Sequence, residues 1–597
     1  MWKIDPFNYQ RRPSTEVRIG QLLMGGTQPI RIQSMTNTDT NNIEASLEQC
    51  IRLIRAGSEL VRFTTQGNRE AESLKKIHDL LRDKGYQTPL SADVHFNANV
   101  ADVVAQYVEK VRINPGNYLG SNRGNITSDY SDEEYKAEYE RIRKRFKQLL
   151  NICNKHQTAL RIGVNHGSLS ERIMNRYGDT AEGMVESCME FLRICREENF
   201  HNLVISMKAS NTLTMIHSVR MLVERMEAEN FHFPLHLGVT EAGNEEEGRI
   251  KSAVGIGTLL SEGIGDTIRV SLSEDPEAEI PVARKLISYI DAKKNHEPII
   301  AEKNFQHSPF NYHRRTTHAV ENIGGNNVPV VIAHTKENFE ITPDYYFAEN
   351  QIINIHNEVF PIFDIDEKEK IIKHSSRIKF LKMSFPELTK ENVHFLKNTA
   401  DTVVILESHH KNAPAEQKAF FHSLMNAGCT VPVIVTQSYK ENIEEDLEIK
   451  AGVDFGMLFV EGFGDGIFLK NEGTIPSEKL NSIAFGILQA TRARISKTEF
   501  ISCPGCGRTM FDLQTVVSRI KSKTSHLKGL KIGIMGCIVN GIGEMADADY
   551  GYVGAGRGKV SLYKKKICVE KNIPEEEAVE KLIELIKING DWTEPIS

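Results

Sequence analysis

The sequence predicts an α/β protein in three parts. These are an N-terminal (β/α)8 barrel of TIM type over residues 1–290, a central α/β insertion over 291–487 and a C-terminal α+β unit over 488–597. Three observations carry this reading. Eight short, β-branched apolar runs alternate with helical patterns in the first part. A second, less regular series of such runs fills the middle. Near the C-terminus the pattern changes, and turn residues gather cysteines into loops.

The eight runs lie at 30–35, 60–65, 89–94, 110–113, 159–164, 202–207, 234–239 and 267–270. Residues 43–56 and 211–226, among the segments between them, carry apolar residues at the 3.6-residue spacing of a helix. Strand–helix alternation repeated over roughly 250 residues is the arithmetic of a closed barrel. An open doubly wound sheet would carry a glycine-rich phosphate turn after its first strand, and none is seen there. Residues 120–158 exceed a minimal barrel helix and read as a charged surface elaboration.

The strand ends are the informative positions, because in such a barrel they converge on one mouth. The second strand carries Arg62, the third Asp93 and His95, and the fourth Arg112 and Asn114. The fifth carries Arg161, Asn165 and Ser168, the sixth Lys208, and the seventh is followed by Glu241. Arg269 and Ser271 surround the eighth. Five cations (Arg62, Arg112, Arg161, Lys208, Arg269) would ring one small pocket. Like charges buried together need an anion, and guanidinium forks suit phosphate oxygens. A single arginine at a strand end is more often a structural ion pair, and Asp93 and Glu241 could serve as partners. Five at equivalent positions argue for a ligand.

The middle part has apolar runs at 328–334, 377–382, 401–406, 431–436 and 454–459, read as strands of a parallel α/β unit, barrel-like in its alternation. One internal echo supports this: 257–269 aligns without gaps on 456–468, and Arg269 becomes Phe468. The expectation is a duplicated barrel half that kept its packing glycines and lost its chemistry. A fold without βα repeats here would sink it.

The C-terminal part holds Cys503-Pro-Gly-Cys506 and, further on, Cys537 and Glu544. Three thiolates suit a soft centre, zinc or iron–sulfur, with inert buried thiols as the bland alternative. No second C-x-x-C supplies a fourth thiolate. Cys568 sits in a strand-like run at 560–569. Glu544, in a loop made pliable by Gly541 and Gly543, is the better fourth ligand. Residues 511–520 read as a helix, 530–535 as a strand, 549–553 and 559–569 as a hairpin joined by 554–558, and 575–588 as a closing helix. The strands are expected to be antiparallel. Cys50, Cys153, Cys188, Cys195 and Cys429 read as small buried hydrophobes.

The bulk numbers bound the rest. With 597 residues the chain exceeds a single core. A formal net charge of −7 argues against general nucleic-acid binding. No run of about eighteen apolar residues and no signal-type leader appears, so a cytoplasmic protein without a membrane segment is expected. The odd count of nine cysteines fits a reducing compartment.

The cysteine words, CPGCGR and MGCIVNGIGE, resemble the cluster motifs of the 4-hydroxy-3-methylbut-2-enyl diphosphate synthase family. QSMTNT, ADVHF, VRINPGN, RIGVNHGSL, SMKAS, LGVTEAG and EGIGDTIRVSL resemble the barrel motifs of the same family. The likeness covers about the first 290 and last 110 residues; the middle matches only its longer, three-domain form. The resemblance implies a [4Fe–4S] cluster on Cys503, Cys506, Cys537 and Glu544, in a sulfite-reductase-like unit. It implies that Arg62, Arg112, Asn117, Arg161, Asn165, Lys208, Arg269 and Ser271 hold a substrate diphosphate, with Glu241 as proton handler. The implied substrate is 2-C-methyl-D-erythritol 2,4-cyclodiphosphate, reduced by two electrons. No nicotinamide or flavin fingerprint is present, so ferredoxin or flavodoxin is the expected donor. Shorter relatives close the site across a homodimer, and here the insertion is expected to allow closure within one chain. The rival readings are a non-catalytic iron–sulfur carrier, which leaves the strand-end cations unexplained, and a zinc-stabilised barrel enzyme acting on a sugar phosphate, which would be colourless.

Overall fold

The structure, a computed structural model, describes residues 4–119, 130–304, 306–335 and 339–595. The 120–129 part of the expected surface elaboration lies outside these residues; beyond it runs the capped helix Asp132–His156.

The first part is the expected barrel. Its strands are Arg31–Met35, Leu60–Thr65, Leu90–Val94, Lys110–Ile113, Ala159–Asn165, Leu203–Lys208, His236–Leu237 and Thr267–Ile268. They pair in parallel in chain order, the eighth with the first. A parallel bridge between Ile205 and Leu235 completes the ring. The register sets Asp93 beside Arg112 and Arg112 beside Arg161, so charged residues of three strands share one level. Helix Ile43–Ala56 shows why the helices form where they do. Asn42 caps the Ala45 amide, Leu47, Cys50 and Leu53 face the core, and Gly57 ends the helix at a φ of 113°. A hairpin, Val17–Ile19 with Leu22–Met24, packs on Leu60, Ala159 and Val204 at the opposite end from the mouth.

The central part is a second closed barrel. Its strands are Val330–Ala333, Tyr345–Ala348, Gln351–Asn354, Val359–Asp364, Lys379–Met383, Thr402–Leu406, Val433–Tyr439 and Gly466–Asn471. Two expectations need correction. The run 454–459 is not a strand but the end of the buried helix Glu444–Phe459; a short apolar run buried on all sides has no period that separates the two. Three early strands are joined by antiparallel hairpins instead of βα units.

The echo between the two barrels extends further than the aligned segment. Asn8-Tyr-Gln-Arg-Arg12 recurs as Asn311-Tyr-His-Arg-Arg315. Arg12 N donates to Gly263 O at 2.8 Å, and Arg315 N to Gly462 O at 3.0 Å. Arg11 pairs with Asp266 at 2.9 Å and Arg314 with Asp465 at 3.0 Å. Each barrel is thus latched by the same two arginines onto the turn before its last strand.

The barrels meet through helices Glu245–Ser261 and Glu444–Phe459. Small residues permit the approach, since a Cβ on Gly452 would lie 2.8 Å from that of Ala253. Beside them the buried Arg220 donates to both Glu262 and Glu461, equivalent positions of the two repeats.

The C-terminal unit is a five-stranded sheet of Glu499–Ser502, Lys531–Met535, Tyr550–Gly556, Lys559–Lys564 and Ile567–Pro574. The all-antiparallel expectation is corrected. The first three strands are parallel, because helices Leu513–Thr524 and Ile538–Glu544 provide crossovers between them. Residues 559–569 divide into two strands instead of one. Glu544 ends a short helix and does not lie in a loop. The closing helix Glu575–Ile588 is as expected.

Replacing Arg220 by Ala removes the guanidinium that two buried carboxylates share, leaving Glu461 to Lys418 and His307 and Glu262 to Lys418 at 3.9 Å. The variant should lose about 3–5 kcal/mol of stability, seen as a lower denaturation midpoint of the barrel pair. An unchanged midpoint would show that these remaining partners suffice for the two glutamates.

Candidate active site

All five strand-end cations border one cavity of about 80 Å³. Asp93, Asn165, Glu241 and Ser271 line it from the same side. Cys503, Cys506, Cys537 and Glu544 line it from the C-terminal unit. One chain therefore brings the two halves of the expected site face to face.

The cations are buried and unevenly matched. Arg269 pairs with Glu279 at 2.9 Å, and Arg112 with Asp93 at 2.9 Å. Arg62 finds only the weakly accepting sulfur of Met35, at 2.9 and 3.1 Å. Arg161 is 1 % exposed, and its Nε and one terminal nitrogen have no partner. Among the described residues, Arg62, Arg161 and Lys208 have no carboxylate at ion-pairing distance. Burial, reinforced by the neighbouring arginines, pushes Arg62 down to about 10 and Lys208 well below the usual lysine range. An arginine does not surrender its proton in a protein, so the ring requires an anion.

Asp93 and His95 serve the ring. Burial works to raise the Asp93 pKa, but the Arg112 and Arg62 charges outweigh it and hold it well below the carboxylate range. Burial and Arg112 drive His95 down to about 3, leaving it a neutral acceptor toward Arg112. Asn117 sits one layer back, its Nδ2 3.4 Å from His95 Nδ1. Asn114 caps the Gly116 amide at 3.1 Å. Ser168 lies with Asn117 along a neighbouring cavity. These three are not brought to the cationic cavity, whereas the other barrel residues singled out in the sequence reach it or contact its walls.

The two halves are joined by short polar contacts. Asn165 Nδ2 donates to Glu544 Oε1 at 2.9 Å. Ser273 Oγ donates to Cys503 O at 2.9 Å, and Ala242 bridges Ser502 in parallel. Gly167, at a φ of 76°, abuts the other unit so closely that a Cβ there would lie 2.0 Å from Gly543 O. Glu241 adopts the left-handed φ of 52°, a conformation costing a non-glycine residue of order 1–3 kcal/mol. Burial, and then the Glu544 charge, push its pKa well above the carboxylate range. Its Oε2 is buried without a partner.

Cys503, Cys506 and Cys537 are free thiols around this cavity. The Gly536 amide donates to Cys503 Sγ at 3.2 Å. Burial, with Cys506 adding to it, lifts Cys537 to about 11, so a metal would be required to hold it as thiolate. Among the described residues no three such groups are close enough for a single metal ion. Three thiols and a carboxylate lining one cavity are a donor set of the kind that soft metal centres use.

Sequence reasoning gave no site role to several residues that line the cavity, among them Met35, Thr240, Thr509 and Arg508. Arg508 had a signal. It is a cation two residues beyond a C-x-x-C, where thiolates concentrate negative charge. Burial works against its charge, but Cys506 and Asp93 outweigh that and hold its pKa above the ordinary arginine value.

A (β/α)8 barrel whose cationic mouth is covered by a thiolate-bearing lid defines an enzyme for a small, highly anionic substrate. The chain belongs to the 4-hydroxy-3-methylbut-2-en-1-yl diphosphate synthase family. Residues 14–284 match the GcpE TIM-barrel domain and 499–588 the GcpE protein C-terminal domain. The chain is 56% identical to the 4-hydroxy-3-methylbut-2-en-1-yl diphosphate synthase (flavodoxin) of Parabacteroides distasonis, covering 98% of this chain and 99% of that protein. It is 57% identical to the one of Phocaeicola vulgatus, covering 99% and 100%. It is 39% identical to the one of Chlorobaculum tepidum, covering 99% and 91%. These matches include the central barrel. Among the described residues no helix is long and apolar enough to cross a membrane.

Two outcomes are expected. Inorganic pyrophosphate should stabilise the protein by about 2.7 kcal/mol at a hundredfold excess over its Kd, and Arg161→Gln should remove most of the resulting rise in unfolding temperature. Gly167→Ala should force the two units apart, read as faster proteolysis near 491–498 with circular dichroism unchanged. Unaltered proteolysis would mean that the Gly543 backbone yields.

Proposed function

We propose that the chain catalyses the two-electron reductive ring opening and dehydration of 2-C-methyl-D-erythritol 2,4-cyclodiphosphate. The product is (E)-4-hydroxy-3-methylbut-2-enyl diphosphate, a precursor in isoprenoid biosynthesis. The observation that carries this is the single cavity shared by unmatched barrel cations and the three thiols with Glu544. A cyclic diphosphate meets the demand for an anion, and its ring offers a carbon–oxygen bond to reduce.

Cys503, Cys506, Cys537 and Glu544 are the residues to hold a [4Fe–4S] cluster. When bound, the cluster supplies electrons singly, drawn from flavodoxin or ferredoxin. The chain does the rest. Arg62, Arg112, Arg161, Lys208 and Arg269 fix the diphosphate, which leaves one carbon as the ring opens and stays attached at the other. Asp93 and His95 hold Arg112 in place. Asn165 orients Glu544 from the barrel side. Glu241, buried at the cavity with its Oε2 unpartnered among the described residues, is the group placed to hold a proton. It gives this proton to the departing hydroxide so that water leaves. Close contact of Gly167 with Gly543 brings the two units together beside the cavity.

The central barrel fixes the lid over its own chain. Helix Ser477–Ala490 leaves that barrel, Thr212 Oγ1 donates to Ala490 O, and Arg494 pairs with Asp344. The site is thereby complete in one chain.

The test is an anaerobic assay with the cyclodiphosphate and a chemical reductant. Cys537→Ser should lose its iron and brown colour; full iron content there would overturn the ligand set. Glu544→Ala should keep much of its iron and slow turnover strongly, and Glu241→Gln should lower kcat by about 10²–10⁴ with KM little changed. Mixing an Arg161 variant with a Cys537 variant should restore no activity, since closure within one chain leaves no intact pair of halves.

A further inference from the structure

The cation ring of the barrel leaves open what the lid contributes to anion binding. Arg508 stands alone there as a buried cation supplied from the C-terminal side of the cavity wall. Two of its three nitrogens face protein groups and the third does not. Nε lies 3.4 Å from Cys506 Sγ. One terminal nitrogen lies 3.4 Å from Asp93 Oδ2, across the junction between lid and barrel. The other, NH1, is buried and has no partner among the described residues. A buried guanidinium N–H without an acceptor is costly, so its position at the cavity wall points to an acceptor that arrives from outside the protein.

The backbone around Arg508 is held firmly. Thr509 Oγ1 accepts the Cys506 amide at 3.0 Å, Met510 N donates to Gly536 O at 3.0 Å, and Gly507 sits against the Thr38 carbonyl of the barrel. The guanidinium is therefore delivered to a fixed point whenever the lid is closed. Asp93, which also accepts from Arg112 at 2.9 Å, stands between the barrel ring and this added cation.

We propose that Arg508 is a substrate-binding residue, the lid's own contribution to the diphosphate cradle, donating NH1 to a phosphate oxygen while Asp93 and Cys506 fix its orientation. Anion binding and lid closure are then one event, because the sixth cation reaches the phosphate only when lid and barrel are docked. This rests on the placement of the diphosphate at the barrel mouth and of the cluster on the lid cysteines.

The experiment uses cluster-loaded, oxidised protein and isothermal titration with the cyclodiphosphate, without reductant or turnover. Iron content and the visible spectrum are measured on the same samples. Arg508→Gln should bind about 10- to 100-fold more weakly than the unaltered protein, with its iron retained. Arg508→Lys, which keeps the charge and loses the fork, should fall between the two. If Arg508→Gln binds as tightly as the unaltered protein, whether or not iron is lost, the proposal is overturned and the arginine serves only the cysteine loop. If the unaltered protein itself fails to bind the cyclodiphosphate, the function proposed above fails instead.

Discussion

Mutual repulsion among buried cations at the mouth of the first barrel is the constraint on which the rest of the structure depends. Arg62, Arg161 and Lys208 are placed together without ion-pairing carboxylates. In a low-dielectric interior such a group is tolerable only if the scaffold is rigid and a counter-charge is expected. The parallel ring supplies the rigidity, since each cation projects from a strand hydrogen-bonded on both sides. The nearby carboxylates are deployed sparingly: Glu279 matches Arg269, and Asp93 divides itself between Arg112 and Arg508. The remaining positive charge is left without a counter-charge among the described residues.

The second barrel shows what the same frame becomes without that demand. The latching arginines and the glycine-rich turn before the last strand persist, while the position of Arg269 is occupied by Phe468, packed against Phe347. Apolar filling replaces the mouth. The surface that was preserved is the one facing the first barrel, where Arg220 is shared between the paired glutamates. The second barrel ends in helix Ser477–Ala490, from which the chain passes to the first strand of the lid, Glu499–Ser502.

Most of the first barrel was legible because its strands combine β-branched runs with polar tips, a pattern with few other interpretations. The cysteine loops were legible because C-x-x-C flanked by glycine leaves few roles for the thiols. Residues 454–459 were misread because burial on every side erases the difference between periods of 2 and 3.6. The mixed lid sheet was missed because two short helices, Leu513–Thr524 and Ile538–Glu544, are enough to reverse the chain and keep strands parallel. Arg508 escaped notice because its importance comes from Asp93, far away in the chain and adjacent only after folding. The shared latch of the two barrels was present in the letters, at 8–12 and 311–315, and needed the paired hydrogen bonds to stand out.

The backbone contact at Gly167 and Gly543 bears on tempo as well as on shape. With main chain against main chain there is no side chain to swing aside, so this junction opens only by movement of one unit against the other. Any such movement is taken up by the joint at 491–498, remote from the cavity, so how readily the units part is set by a stretch of chain that touches none of the cavity residues.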